Sequence, residues 1–135
     1  MPPVHIKDHD GWNTSKKALD AHPMPRRVYI YPGEIWYCCI GHNIGDEEDG
    51  KGSDYSRPVV VIKRFGAGIF IGVPLTTKVK AYPSYFGVGT VDGKAAMALL
   101  TQLRFFSTKR LVNKIDKLPT PTFLALKKAA KKYIF

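Results

Sequence analysis

Two apolar segments separated by the three-residue turn Gly66-Ala67-Gly68 constrain the fold of this chain more than any other feature. The first segment runs from Arg57 to Phe65 and the second from Ile69 to Leu75, and both are rich in the β-branched residues that strands favour. Because a short connection that contains Gly favours antiparallel pairing, we predict a β-hairpin. Pro74 lacks an N–H group, so we expect it at the edge of the sheet or at a bulge.

Shorter strands are predicted on both sides of this hairpin. Segment 33–41 is apolar on both faces, so we expect it in the middle of a sheet and covered on both sides. Further strand material is predicted over 95–100, 101–106 and 112–115, with a single turn over 108–111. Several short strands joined by Gly-rich turns favour a small, strongly bent sheet or barrel, and 135 residues suffice for one core.

A helix is predicted at the C-terminal end, which makes the fold class mainly β with an added helix. Thr120 is the expected N-cap and Pro121 the expected first helical residue, since Pro fits the first turn. The expected inner face consists of Phe123, Leu126, Ala130 and Ile134, and the outer face is a basic column of Lys127, Lys128, Lys131 and Lys132.

Residues 1–32 are interpreted as an N-terminal extension, and residues 33–135 as the barrel domain with its helix. Within the extension, residues 12–19 are predicted to form a short helix that ends before His22-Pro-Met-Pro25. His5 and His9 are four residues apart, but a lone pair near a terminus is more often solvated than metal-bound. The first ten residues lack the apolar core of a signal peptide, and no run of about 20 apolar residues exists. We therefore expect no membrane span and a cytoplasmic protein.

The charge of the chain is strongly uneven. The formal net charge is +10, yet five acidic residues and one Lys lie between Gly41 and Ser56, which leaves that loop four units negative. The remainder is correspondingly basic, and such a balance fits a polyanionic partner such as nucleic acid about as well as it fits ordinary lysine-rich solubility. The adjacent cysteines Cys38 and Cys39 are expected to be small buried side chains, because two thiols alone make no zinc site.

The ends of the hairpin strands carry the polar groups with the clearest chemical use. Arg57 starts the first strand, while Thr76 and Thr77 follow the second, so a guanidinium and a hydroxyl are expected to meet at one rim of the sheet. Cleavage of RNA requires a proton acceptor for the 2′-OH, a cation for the phosphorane and a proton for the leaving oxygen. Arg57 suits the stabilisation of the phosphorane charge, and Thr76 suits contact with a phosphate oxygen or the 2′-OH. Glu47 suits the role of proton acceptor, if its loop folds over the site. A strand-end charge and an ordinary turn remain the alternative.

Segment 78–94 is open to two interpretations. Basic and aromatic residues alternate there, as in a loop where aromatics stack on RNA bases and Lys contacts phosphate. A strand over 84–88 that packs its aromatics inward explains the same pattern equally well. On the first interpretation, the RNA-binding candidates are Lys51, Thr77, Lys78, Lys80 and Tyr82.

An ordered set of short motifs resembles the MazF/PemK (Kid) family, the toxins of type II toxin–antitoxin pairs. The motifs extend over about residues 33–134 and are individually weak. They are Gly33-Glu-Ile-Trp36, Asn43-Ile-Gly45, Glu47, Asp49-Gly-Lys-Gly52, Arg57-Pro-Val-Val-Val61, Val73-Pro-Leu-Thr-Thr77, Leu100-Thr-Gln-Leu-Arg104 and Lys109-Arg-Leu111.

The resemblance implies an SH3-like barrel with a C-terminal helix, assembled as a homodimer. It also implies a metal-independent endoribonuclease, without a cofactor, that cuts single-stranded RNA, chiefly mRNA, to 2′,3′-cyclic phosphate and 5′-OH ends. The family's catalytic Arg and Thr fall on Arg57 and Thr76, and its acidic loop residue falls on Glu47. Gln102 and Arg104 match a motif interpreted as structural and interfacial. A cognate antitoxin with an acidic tail is the implied partner.

Two departures and two alternative functions stay open at this point. The loop between Glu47 and Arg57 is long, and residues 1–32 lie outside the minimal family fold; they either cover the barrel or alter antitoxin contact. The same fold serves CcdB-type toxins, which act on DNA gyrase without catalysis. A plain RNA-binding barrel is the third possibility, although the acidic loop disfavours it.

Overall fold

A single antiparallel sheet of seven strands forms the body of the protein in the computed structural model, which describes residues 7–21, 29–41, 50 and 56–135. The strands are β1 (Glu34–Cys39), β2 (Ser56–Phe65), β3 (Ile69–Thr76), β4 (Tyr85–Val91), β5 (Lys94–Leu99), β6 (Arg104–Ser107) and β7 (Leu111–Lys117). Helix α1 (His9–Ala21) precedes them and helix α2 (Thr120–Ile134) follows. The predicted fold class, a small bent barrel-like sheet with a C-terminal helix and a helical N-terminal extension, is confirmed.

The predicted hairpin is β2 and β3, which pair in antiparallel register from Val59 opposite Pro74 to Phe65 opposite Ile69. β3 also joins the two ends of the sheet, because Ile69 to Gly72 pair with β6 whereas Leu75 and Thr76 pair with β5. The full order is β4-β5-β3-β2-β1-β7, with β6 as a second neighbour of β3. The change of neighbour within one strand bends the sheet around its core.

Pro74 lies at that change of neighbour, so its expected position at an edge or a bulge is wrong. Its side chain is fully buried in a central strand. The ladder with β6 ends at Gly72 and the ladder with β5 begins at Leu75, so Pro74 has no ladder partner on that side. A residue without an N–H is tolerated there because no cross-strand hydrogen bond is required.

Two hydrophobic clusters cover the two faces of β2. Val60 packs in one cluster with Val73 and with Leu126 of α2, whereas Val59 and Val61 pack in the other with residues that include Phe70 and Phe106. A strand that is covered on both faces explains why residues 59–62 are continuously apolar. The central position predicted for segment 33–41 is also confirmed, since β1 pairs with both β2 and β7.

The structure corrects the sequence prediction at three positions. Residues 100–102 form a 3-10 turn, so the second of the two strands predicted over 95–100 and 101–106 begins at Arg104 and not at Thr101. The N-cap of α2 is Pro119, and Thr120 is already helical, one residue earlier than expected. Ile134, assigned to the inner face of the helix, is 45% exposed, whereas Phe123, Leu126 and Ala130 are buried as predicted.

The adjacent cysteines and the motif around Glu34 have structural roles. Cys38 and Cys39 are both buried, as expected. The Glu34 carboxylate accepts hydrogen bonds from the backbone N–H of Tyr31 and from Trp36 Nε1, and its Oε2 lies 2.8 Å from Lys114 Nζ. Burial works to raise the pKa of Glu34, but these donors outweigh it and hold the pKa below its ordinary value. None of the helices in the described ranges has the length and apolar character needed to cross a membrane.

Candidate active site

Arg57 and Thr76 lie together at one rim of the sheet, where β2 begins and β3 ends. Val59 of β2 pairs with Pro74 of β3. Because the strands are antiparallel, Arg57, two residues earlier, lies opposite Thr76, two residues later. Arg57 Nη1 donates a hydrogen bond of 3.3 Å to the carbonyl oxygen of Leu75, the residue before Thr76. Both side chains are largely enclosed, with 8% of Arg57 and 7% of Thr76 exposed. The expected meeting of a guanidinium and a hydroxyl at one rim is therefore present.

A cavity of about 630 Å³ opens beside this pair. Arg57, Thr76 and Thr77 line it together with Ser56, Pro58 and residues from four other strands. A side chain with a fixed positive charge in a partly closed site attracts an anion more strongly than the same charge in bulk water. The cavity can therefore hold a phosphate group against Arg57.

The hydroxyl of Thr76 is oriented by the backbone that follows it. Its Oγ1 accepts a hydrogen bond of 3.2 Å from the N–H of Lys78. A hydroxyl that accepts through its oxygen can still donate its proton to another acceptor. Thr76 is thus suited to donate to a phosphate oxygen or to hold a 2′-OH near Arg57.

Sequence reasoning missed several cavity residues that come from distant strands: Tyr37, Val91, Asp92, Lys94, Ala96, Asn113 and Ile115. Asp92 has a positive φ of 51° and precedes Gly93, which also has a positive φ. An Asp-Gly pair between two strands is a strong hairpin signal, so the turn itself was detectable in the sequence. The location of this turn at the Arg57 cavity could not be predicted, because that location depends on the pairing of β5 with β3.

The RNA-binding candidates occupy different environments. Thr77 lines the cavity, whereas Lys78, Lys80 and Tyr82 are exposed on the segment between β3 and β4. Lys80 Nζ lies 5.9 Å from the ring centre of Tyr82 and 5.8 Å from that of Tyr85. Segment 78–94 therefore contains both an exposed stretch with basic and aromatic residues and the strand β4, and RNA contact by the exposed stretch stays a prediction.

Two predicted site residues, Glu47 and Lys51, lie outside the described residues. Two arginines of the family motifs Leu100–Arg104 and Lys109–Leu111 make contacts within the chain. The Arg104 guanidinium lies 4.8 Å from the ring centre of Phe106, and Arg110 Nη1 donates a 3.0 Å hydrogen bond to the carbonyl of Cys39. Within the described ranges, no three His, Cys, Asp or Glu side chains are grouped so as to hold a metal ion.

Solved structures with the same fold include three relevant proteins. MazF from Deinococcus radiodurans superposes with a TM-score of 0.64 at 16% identity, covering 79% of this chain and 98% of that one. An endoribonuclease from a mycobacterial species gives 0.62 at 11% identity, covering 82% and 95%. A mycobacterial endoribonuclease in complex with its cognate antitoxin gives 0.61 at 13% identity, covering 78% and 95%. Curated protein sequences yield no match.

The fold and the basic cavity at its rim define a small barrel of the MazF class. The sequence itself carries the assignment further, because residues 31–134 match the model of one family. The chain belongs to the family of PemK-like, MazF-like toxins of type II toxin–antitoxin systems. The match begins after α1, so that helix is an addition to the family domain.

Proposed function

We propose that this toxin is a metal-independent endoribonuclease that cuts single-stranded RNA, chiefly mRNA, in the cytoplasm. The observation that carries the proposal is the enclosed pair Arg57 and Thr76, which share one cavity and are linked through the carbonyl of Leu75. A guanidinium beside a hydroxyl supplies charge stabilisation and hydrogen-bond donation to a phosphodiester. The endoribonucleases among the structural relatives share the fold and support the same activity.

The proposed reaction is a transesterification within the RNA. The 2′-oxygen attacks the adjacent phosphorus, the bond to the 5′-oxygen breaks, and the products carry a 2′,3′-cyclic phosphate and a 5′-OH. Arg57 stabilises the negative charge that develops on the phosphorane, and Thr76 donates to one of its oxygens or positions the 2′-OH. Glu47, carried over from the family motif, accepts the 2′-OH proton, and the leaving 5′-oxygen takes a proton from solvent water. The candidates Lys51, Thr77, Lys78, Lys80 and Tyr82 hold the flanking nucleotides.

The proposal includes two protein partners. A second copy of the chain completes the homodimer, and a cognate antitoxin with an acidic tail covers the basic cavity. An acidic tail is complementary to a surface whose charge outside the 41–56 loop is strongly positive. The solved complex of a mycobacterial endoribonuclease with its antitoxin supports an inhibitor of this kind.

The ends of the RNA products test the function most simply. Purified protein is incubated with a long single-stranded RNA in the presence of EDTA, and the products are labelled with polynucleotide kinase. Cleavage by this chemistry leaves 5′-OH ends that accept the label without prior dephosphorylation, and sequencing of those ends gives the cleavage motif. Absence of cleavage, or cleavage only with added Mg²⁺, contradicts the proposal. Inhibition of DNA gyrase without RNA products identifies a CcdB-like poison, and salt-sensitive binding without products identifies a plain RNA-binding barrel.

A further inference from the structure

A second cavity, of about 280 Å³, lies between α1 and the 3-10 turn Thr108–Arg110. Its walls come from Trp12, Asn13, Lys16, Lys17, Leu19 and Asp20 on the helix, and from Ser107, Lys109 and Arg110 on the barrel side. The helix that forms half of this cavity lies outside the matched family domain. The cavity, called the α1 cavity below, is therefore a feature that this chain adds to the family fold.

The helix is fixed to the barrel by contacts that also shape the cavity. Trp12 is 6% exposed and lies so close to Gly41 that a Cβ at that position would overlap the indole. The Arg110 guanidinium lies 5.7 Å from the Trp12 ring centre. Lys109 Nζ donates a 2.7 Å hydrogen bond to the carbonyl of Asp20, near the end of the helix. These contacts hold the two walls at a defined distance.

The walls of this cavity are strongly basic. Among the described residues that line it, four are cationic, Lys16, Lys17, Lys109 and Arg110, and Asp20 is the one carboxylate. Asn13 and Ser107 add neutral hydrogen-bonding groups. Burial and then the nearby charge of Arg104 lower the pKa of Arg110. Like charges held close together are stabilised by an anion between them.

The α1 cavity lies close to the Arg57 cavity through strand β1. Ser56 lines the Arg57 cavity and pairs with Cys39, and the carbonyl of Cys39 accepts a hydrogen bond from Arg110 of the α1 cavity. Neighbouring strands are about 4.8 Å apart. The two cavities therefore both border the paired strands β1 and β2.

We propose that the α1 cavity is an accessory RNA-binding site, in which Lys16 and Lys17 hold phosphate groups of the substrate that flank the cleavage site. This inference rests on the proposed ribonuclease function and assigns a role to the N-terminal extension. The ligand is a phosphodiester backbone, recognised by charge and not by base. Binding of flanking phosphates at this site anchors long substrates more tightly than short ones.

The composition of the cavity favours RNA over an acidic peptide. A peptide partner usually gains much of its affinity from apolar anchors that enter a pocket. The apolar residues here are Trp12, which is already buried against the barrel, and Leu19, which is half-buried. A phosphate backbone needs only the cations, because release of condensed counterions supplies its affinity.

The test compares two double variants with equal changes in net charge. Lys16→Gln/Lys17→Gln removes the α1 cations, and Lys128→Gln/Lys132→Gln removes two exposed cations of α2 that line neither cavity. The probes are two fluorescent RNAs that carry the mapped cleavage motif with a 2′-O-methyl group at the cut nucleotide. The short RNA spans the motif alone, and the long RNA extends beyond it on both sides.

For an accessory RNA site, Lys16→Gln/Lys17→Gln should weaken binding of the long RNA about tenfold and lower its salt slope by about 1.4, since each single-strand phosphate contact contributes about 0.7. The Lys16→Gln/Lys17→Gln variant should bind the short RNA as tightly as the wild type does and should cut its unmethylated form at the wild-type rate. The α2 variant should bind both RNAs as the wild type does. Equal loss of long-RNA binding for both variants, or no loss, overturns the inference, while cleavage of the unmethylated short RNA leaves the ribonuclease function intact. Weaker binding of a poly-glutamate peptide, with unchanged binding of the long RNA, overturns it in favour of a peptide site. Failure of the wild type to cut the unmethylated form of either RNA instead rejects the function itself.

Discussion

Trp12 of α1 packs directly on Gly41 at the end of β1, and no other residue type fits at position 41 without displacing the indole. Gly41 has a φ of +78°, a conformation that residues with a side chain rarely adopt. This close packing of Trp12 on Gly41 is one of the contacts that dock α1 on the barrel. Gly41 also directly precedes the acidic segment that lies between Gly41 and Ser56 in the sequence.

Gly41→Ala should release or tilt α1. Overpacking against the indole costs about 1–3 kcal/mol in addition to the backbone strain. We expect a lower thermal midpoint and faster tryptic cleavage after Lys16 and Lys17. Gly93→Ala is the matched control, because Gly93 has the same φ of +78° and a Cβ added there would meet no atom within 4 Å.

A Trp12→Ala background separates the two contributions to this effect. If the clash with Trp12 is the cause, the loss of unfolding free energy from Gly41→Ala in the Trp12→Ala background should be no larger than the loss from Gly93→Ala in the wild type. An equally large cost with and without Trp12 would show that the contact is unimportant.

The Cys38 thiol should make stability fall at alkaline pH. Burial raises the pKa of Cys38 from 9.0 to about 12. Between these values the unfolded chain loses the thiol proton while the folded protein keeps it, so the thiol's stabilisation is complete below pH 9 and is lost as pH rises toward 12. The slope is about 1.4 kcal/mol per pH unit within this window.

Denaturant unfolding at several pH values measures this slope. Because Lys and Tyr groups also titrate there, the Cys38→Val variant is the reference, and its slope should be smaller by the contribution of one proton. Identical slopes for the wild type and the variant would exclude a buried neutral thiol at position 38.

Thr76→Val should lower the cleavage rate by about 100- to 1000-fold, the usual effect of removing one donor to a developing charge. Valine has nearly the same shape but leaves the N–H of Lys78 without the hydroxyl acceptor. Thr76→Ser keeps the hydroxyl and should stay within about tenfold of the wild type. Single-turnover cleavage of the unmethylated short RNA measures both rates, and a Val variant as fast as the Ser variant would remove Thr76 from the chemistry.

Helix α2 offers a test of the corrected inner face. Leu126 is fully buried, so Leu126→Ala should cost about 2–5 kcal/mol of unfolding free energy. Ile134 is 45% exposed, so Ile134→Ala should lower the unfolding free energy by less than about 1 kcal/mol. Chemical denaturation compares the two, and equal losses would place Ile134 in the core after all.

Local sequence signals predicted the parts of the structure that depend on neighbours in the chain. The hairpin of β2 and β3 follows from its Gly-rich turn, and the hairpin register brings Arg57 opposite Thr76. The periodicity of α2 identified the inner face but not how many of its turns the sheet covers, so Ile134 was misplaced. The arrival of Asp92 and Asn113 at the Arg57 cavity depends on pairing between distant strands, which no local pattern encodes.

The rate of RNA cleavage by Arg57→Lys, compared with the wild type under single-turnover conditions, tests the central claim most directly. Lysine keeps the positive charge but cannot bond two phosphate oxygens in parallel, so we predict a loss of about 100- to 1000-fold with the fold and the short-RNA affinity largely retained. Arg64→Lys, on the same strand but outside the cavity, should cleave at the wild-type rate. Wild-type cleavage by Arg57→Lys and by Arg57→Ala would contradict the assignment of this guanidinium to the chemistry.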